Sequence, residues 1–231
     1  MPRLPRRITD YGPAALLLDW EARLDPEINH SVHAYAKAVS AHPAVLECVP
    51  AYASLLVRFA RPKITAYRLR EYVYELEVTE DVEGTVVHHD LPVCYHPSLA
   101  PDLKRVVATL KTTARTLVKR HTGQTYRVYQ VGFRPGFGFL GMTDERIAID
   151  RHASPRRRVP AGAVGLAGRQ TGVYPTPSPG GWQLIGRCPV PLLREGSGFS
   201  RLHPGDTVRF HPVDLASFEA FDPKTTPWPE R

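Results

Sequence analysis

The sequence predicts an α+β N-terminal domain followed by a mainly-β barrel domain. Three observations carry that expectation. Strand and helix patterns alternate over roughly the first 80 residues, whereas short strands and proline–glycine turns take over from Tyr126 onward. Charge divides in the same way. Residues 1–90 hold 10 Lys and Arg against 13 Asp and Glu, and residues 91–231 hold 20 against 10. Prolines number 23 of 231, which argues against a helical bundle because proline breaks helices and favours turns and strand edges. The division expected is 1–84 for the α+β domain, 85–222 for the barrel and 223–231 for a frayed tail.

In the first domain, Arg7–Asp10 and Ala14–Trp20 read as strands around a Tyr11-Gly12-Pro13 turn. Asp25-Pro26-Glu27 starts a helix that runs to about Ser40 and stops before His42-Pro43. Val45–Val49 and Ser54–Phe59 read as two more strands. Pro62 opens a second helix, on which Leu69, Tyr72, Val73 and Leu76 share one face. The order is β-β-α-β-β-α, with both helices on one face of an antiparallel sheet. Glu80–Asp90 reads as the linker, with Thr85–Val87 a short strand inside it and proline turns at Leu91-Pro92 and His96-Pro97.

In the second domain, Pro101–His121 reads as helical along one apolar stripe that ends on His121. Thr112-Thr113 is a possible cap that would divide it into two helices. Tyr126–Val131, Val164–Ala167, Gln183–Gly186 and Thr207–His211 read as strands. Loops are expected at 132–141, 160–172 and 174–181. Such spacing predicts a closed or nearly closed barrel.

Composition narrows the function. Hydrophobic residues make up 42% and charged residues 23%, a globular balance. No apolar run approaches the ~20 residues that cross a bilayer, and the basic start is followed by no signal-peptide core. Cys48, Cys94 and Cys188 form no CxxC or zinc spacing, so the expectation is a reducing cytoplasm, with no metal and no membrane. The pairs His30/His33 and His88/His89 lack a completing carboxylate or cysteine nearby and read as solvent-facing.

Residues 136–141 (GFGFLG) match GxGxxG, but no good helix follows and arginines stand where a ribose-binding acid is needed. The sequence has no GxxxxGK[ST] and no GxSxG. Residues 151–158 (RHASPRRR) are the strongest local charge signal. No aromatic platform or nucleic-acid module accompanies them, which argues against nucleic acid. In a stiff proline–glycine frame, guanidinium groups suit a small anionic ligand. Gly180-Gly181, in the 174–182 loop, lets backbone N–H groups approach such a ligand.

Residues 132–141 (GFRPGFGFLG), 155–168 (PRRRVPAGAVGLAG) and 170–187 (QTGVYPTPSPGGWQLIGR) together resemble the KipI/PxpB family. That family supplies the B subunit of bacterial ATP-dependent 5-oxoprolinase, formerly called allophanate hydrolase subunit 1. Departures from its usual pattern include Cys94-Tyr95-His96-Pro97 and Phe139. The resemblance implies a ferredoxin-like α+β domain and a cyclophilin-like barrel. It implies ATP, with Mg at the level of the complex, a PxpC/KipA-like partner subunit and a PxpA-like protein. Together these open 5-oxoproline to glutamate, and the chain alone is not expected to be active. It further implies catalytic roles for His121, Arg156 and Arg158. Substrate or phosphate contacts are implied for Arg151, Gly136, Gln170, Ser178, Gly180, Gly181 and Arg187, lining one pocket with His121 at its edge. Two other readings stay open: a carboxyltransferase-like module of a urea-type system, and a KipI-like inhibitor of a histidine kinase.

Overall fold

The computed structural model describes residues 2–79, 86–226 and 228. The chain falls into two compact units, Met1–Thr85 and Val86–Arg231. The first contains β1 (Arg7–Asp10), β2 (Ala15–Asp19), α1 (Pro26–Ser40), β3 (Val45–Pro50), β4 (Ser54–Phe59) and α2 (Ala66–Glu75). Its antiparallel sheet has the order β1-β2-β4-β3, that of a ferredoxin-like sheet whose last strand has moved to the front of the chain. Helix α1 starts where the sequence says. The Asp25 side chain accepts from the Glu27 and Ile28 N–H groups, and Pro26 supplies the first turn. Ile28, Val32, Tyr35 and Val39 then recur at helical spacing and pack with Leu16, Leu18, Leu55 and Val57 of the sheet. Pro62 does not open α2. Thr65 caps it by accepting from Arg68 N–H, and Pro62 stays in the preceding turn.

The second unit contains β5 (His88–Cys94), α3 (Leu103–Thr109), α4 (Ala114–Thr122), β6 (Thr125–Val131), β7 (Gly138–Gly141) and a 3₁₀ turn at Glu145–Ile147. There follow β8 (Arg156–Val159), β9 (Ala163–Ala167), β10 (Gln170–Val173), β11 (Ser178–Gly180), β12 (Gln183–Arg187), β13 (Thr207–Val213) and α5 (Leu215–Glu219). Seven strands close a barrel in the order β10-β7-β6-β13-β5-β12-β9. Strands β5 and β13 run parallel, and β8 and β11 form a separate antiparallel ribbon. The barrel core holds Leu91, Val93, Tyr126, Val128, Leu140, Val164, Ile185, Val208 and Phe210, joined by Val106 of α3 and Leu117 of α4. Thr113 caps α4 by accepting from Thr116 N–H. The 101–121 segment is therefore two helices.

Several local expectations change. Leu91-Pro92 is not a turn but the middle of β5, with Leu91 and Val93 buried on one face. Proline is tolerated there because the β12 ladder reaches β5 only at Arg187↔Cys94. The linker is correspondingly shorter, and residues 80–85 of it lie outside the described residues, as does Thr85 of the expected 85–87 strand. The regions expected to be loops hold β7, β10 and β11, strands of only three or four residues. The tail does not simply fray. The Trp228 indole N–H donates to His89 Nδ1 at 3.1 Å, and Arg201 lies over the Trp228 ring. His89 itself is buried against Asp206 rather than solvent-facing.

Candidate functional site

Two neighbouring cavities sit where the arginine-rich segment meets the Gly180-Gly181 loop. The first, about 360 Å³, is lined by Phe133, Phe137, Phe139, Tyr174 and Trp182, with Arg151, Pro155, Pro179, Gly180 and Gly181 at its polar side. Phe137 is its hub, with ring centroids 4.8–5.6 Å from those of Phe139, Tyr174, Trp182 and Phe133. Local sequence explains why the rings can lie on the barrel wall. Gly165 and Gly172 are cross-strand partners, and a Cβ on either would meet the Trp182 ring at 3.3 Å or closer. The second cavity, about 390 Å³, is lined by Arg105, Thr109, Asp150, Arg151, His152 and Gln183 among others. Arg151 borders both cavities.

Behind Arg151 lies a buried charge network that the sequence reading missed. Asp102, just before α3, is 4% exposed. Its carboxylate accepts from Leu184 N–H at 2.7 Å, from Arg156 Nη2 at 2.5 Å and from His152 Nε2 at 3.3 Å. Burial alone would raise the Asp102 carboxyl. The Leu184 N–H, Arg156 and His152 outweigh it and hold the group below the usual carboxylate range. Arg156 stands opposite Gly180 in the β8–β11 ribbon. Its Nη1 is buried with no hydrogen-bond partner among the described residues, and Arg156 lines none of the cavities described here. The His152 backbone N–H donates to the Gly181 carbonyl at 2.7 Å and ties the two loops together.

Of the residues named from sequence, the structure brings Arg151, Gly180 and Gly181 to one cavity and Arg156 to its flank. The others go elsewhere. Gly136 sits in a tight turn at φ +78°, where a Cβ would strike Leu193, so it serves backbone geometry and packing. Gln170 begins β10, opposite Ala167 and Gly141, and lines none of the cavities described here. Ser178 is buried in β11, and its hydroxyl donates locally, to the Pro179 carbonyl. Arg158 is exposed on β8. Arg187 donates to the Ala161 carbonyl at 2.9 Å and lines a different cavity with Pro175, Pro189 and Phe218.

His121 is the clearest correction. It is fully buried in the barrel core, stacked on Phe210 with centroids 4.8 Å apart, and not at a pocket edge. Both ring nitrogens are taken. Thr171 Oγ1 donates to the Gly165 carbonyl, so it must accept from Nε2–H, and the Tyr95 hydroxyl then donates to Nδ1 at 2.7 Å. Burial pushes the His121 pKa down to about 3. This histidine is a neutral core residue with no opening toward a ligand.

Gly180 and Gly181 differ in a way that can be tested. A Cβ at Gly180 would press on the Tyr174 ring, with Cε1 and Cζ both at 2.8 Å, whereas at Gly181 the nearest atom is at 3.6 Å. Gly180→Ala is expected to destabilise the barrel unit by about 1–3 kcal/mol through overpacking. Gly181→Ala should stay within about 0.5 kcal/mol. Urea unfolding of the two variants checks the contrast, and equal midpoints would refute the close approach.

Known proteins share this architecture. The profile of the carboxyltransferase domain, subdomain C and D, matches residues 6–198. The B subunit of 5-oxoprolinase from Bacillus subtilis (strain 168) is 35% identical over 230 residues, which cover 93% of this chain and 96% of the relative. The crystal structure of TTHA0988 superposes with a TM-score of 0.76 at 36% identity, covering 87% of this chain but only 40% of that longer one. The urea carboxylase of Kluyveromyces lactis superposes with a TM-score of 0.73 at 16% identity, over 94% of this chain and 24% of the other, a likeness of fold alone. Near-complete coverage at this identity leaves one assignment: the chain belongs to the carboxyltransferase-domain family, subdomain C and D.

Proposed function

We propose that this chain is the B subunit of an ATP-dependent 5-oxoprolinase complex that opens 5-oxoproline to glutamate. In this reading it acts in the cytoplasm and only with its partners, a PxpC/KipA-like subunit and a PxpA-like protein. The observation that carries the reading is the 35% identity to a 5-oxoprolinase B subunit across almost the whole of both chains. The site chemistry supports it. An unstrained lactam resists water because amide resonance makes its carbonyl a poor electrophile. ATP, as co-substrate, supplies the activation at the carbonyl oxygen, and such a step needs cationic donors around transferred phosphoryl oxygens. Arg151, which lines the cavity, is the cationic group of this chain that fits an anionic oxygen, with Arg156 opposite Gly180 on the adjoining ribbon. The aromatic floor would seat a small ring. Magnesium finds no such fit. Among the described residues no group of three His, Cys, Asp or Glu side chains converges to hold a metal ion, so no step in this chain is routed through one.

The test is reconstitution. The chain mixed with its PxpC/KipA-like and PxpA-like partners is expected to release glutamate from 5-oxoproline only when ATP is present, and the isolated chain to release none. A full mixture that leaves 5-oxoproline intact would overturn the reading, as would full activity of the chain alone.

A further inference from the structure

The second cavity holds a histidine with the setting of a proton-transfer group. His152 lines it, and its side chain is 21% exposed, while the Asp102 carboxylate that faces its Nε2 is 5% exposed. Asp102 cannot swing away. One oxygen accepts from Leu184 N–H, the other from Arg156, and the Asp102 N–H donates to the Leu184 carbonyl at 3.0 Å. An ionised carboxylate fixed at Nε2 demands the proton on that nitrogen, which leaves the Nδ1 lone pair for other work. Arg105 Nη2 stands 3.4 Å from Nδ1 and 3.3 Å from Nε2. With the proton on Nε2, Arg105 makes only a long contact to Nδ1, one that a reacting water can displace, while its short bond goes to Gln183 Oε1, whose own amide donates to the Asp150 carbonyl. The charged groups around the ring are therefore Asp102 and Arg105 at the start of α3, Arg156 of β8 through Asp102, and Asp150 and Arg151 on the adjoining loop.

We propose that His152 is a catalytic proton-transfer residue of this chain and that Asp102 is its positioning residue. A base held in one tautomer by a buried carboxylate is the arrangement that hydrolytic sites use to move a proton twice. The inference rests on the 5-oxoprolinase reading and deepens it. In opening a cyclic amide activated at its carbonyl oxygen, a water oxygen bonds to the ring carbon while its proton passes to His152 Nδ1. The C–N bond then breaks, its electron pair stays on nitrogen, and the imidazolium returns the same proton to that nitrogen. Water is thus added across the C–N bond, the phosphoryl group remains on the freed carboxyl as an acyl phosphate that a second water cleaves to glutamate and inorganic phosphate, and His152 ends as it began. The shared wall residue Arg151 puts this histidine next to the aromatic cavity in which the ring would sit.

His152→Gln in the reconstituted complex is expected to lower kcat about 10²-fold while the KM for 5-oxoproline and assembly with the partners stay within about twofold. The dependence of kcat on pH should flatten on its acidic side. A variant with wild-type kcat and an unchanged profile would overturn the proposal, and so would a loss confined to KM or to assembly. A second measurement does not depend on turnover. In the ¹⁵N NMR spectrum of the full chain, His152 should carry its proton on Nε2, and Asp102→Asn should abolish that preference. An Nδ1–H tautomer in the wild type would overturn the dyad. If the wild-type mixture fails to turn over 5-oxoproline, the functional reading falls, and the dyad is then decided by the tautomer alone.

Discussion

The Arg156→Ala variant is expected to lose about 2–4 kcal/mol of stability in the barrel unit and at least tenfold in ATP-dependent glutamate release, whereas Arg158→Ala should change neither by much. The contrast follows from burial. Removing one partner of a buried ion pair leaves an uncompensated charge and costs roughly 3–5 kcal/mol. The figure is smaller here because Arg156 is 31% exposed and because Asp102 keeps the Leu184 N–H. Arg158 is exposed two residues along the same short strand, and surface substitutions of that kind stay within about 0.5 kcal/mol. The activity loss follows from Arg156 Nη2, which fixes the Asp102 carboxylate that faces His152. Urea titrations followed by tryptophan fluorescence, together with glutamate assays on the reconstituted complex, measure both effects. Equal behaviour of the two alanine variants would mean that the Asp102 network contributes nothing, and the site as described would fail.

What the sequence could reveal divides along physical lines. Elements fixed by local chemistry were legible. The Asp25-Pro26 start of α1 and the Thr113 cap of α4 satisfy orphan N–H groups within a few residues, and the chain announces them. Strands β7 and β10 were not legible. They are four residues long, carry Gly138, Gly141 and Gly172, and exist because the closing barrel pairs them. Leu91-Pro92 misled because a turn signal was overruled by burial of Leu91 and Val93 on either side. At the site, the arginine-rich loop stood out as a run of like charge, yet its partner Asp102 lies about fifty residues earlier and reads locally as a helix start. Arg187 ends the motif that contains Gly180 and Gly181, but β12 bulges between Leu184 and Gly186 and carries Arg187 about 13 Å beyond Gln183. The bulge turns it into another cavity. A shared motif thus marked residues close in sequence that the fold sends to different cavities.

Acid should destabilise the barrel unit well before its carboxylates titrate, because of His121. Folding takes this imidazole from an ordinary value near ~6.5 down to about 3, through burial. The folded pKa is the depressed one, so below pH ~6.5 the unfolded chain binds a proton that the native state refuses, and stability falls as pH falls. The contribution is complete above pH ~6.5 and is gone once the pH has dropped through about 3. Between those limits one proton costs about 1.4 kcal/mol per pH unit, or roughly 2 kcal/mol from pH 6 to 4.5. That window matters because Asp102 and Asp206, held below their usual range in the native state, add their own losses only at lower pH. The native state cannot adapt by protonating in place. Nδ1 accepts from the Tyr95 hydroxyl, whose own ionisation burial has pushed well above its usual range, and Nε2–H is committed to Thr171. An added proton would have to displace the Tyr95 hydrogen bond and place a charge beside Phe210 and Tyr126. His121→Gln should be less stable than wild type at pH 7, since it leaves part of that chain of hydrogen bonds unmade. Its urea midpoint should nevertheless change far less between pH 6.5 and 4.5. If the variant keeps the wild-type slope across that interval, the proton taken up on acid unfolding belongs to another residue, and the buried neutral histidine does not set the acid limit of this fold.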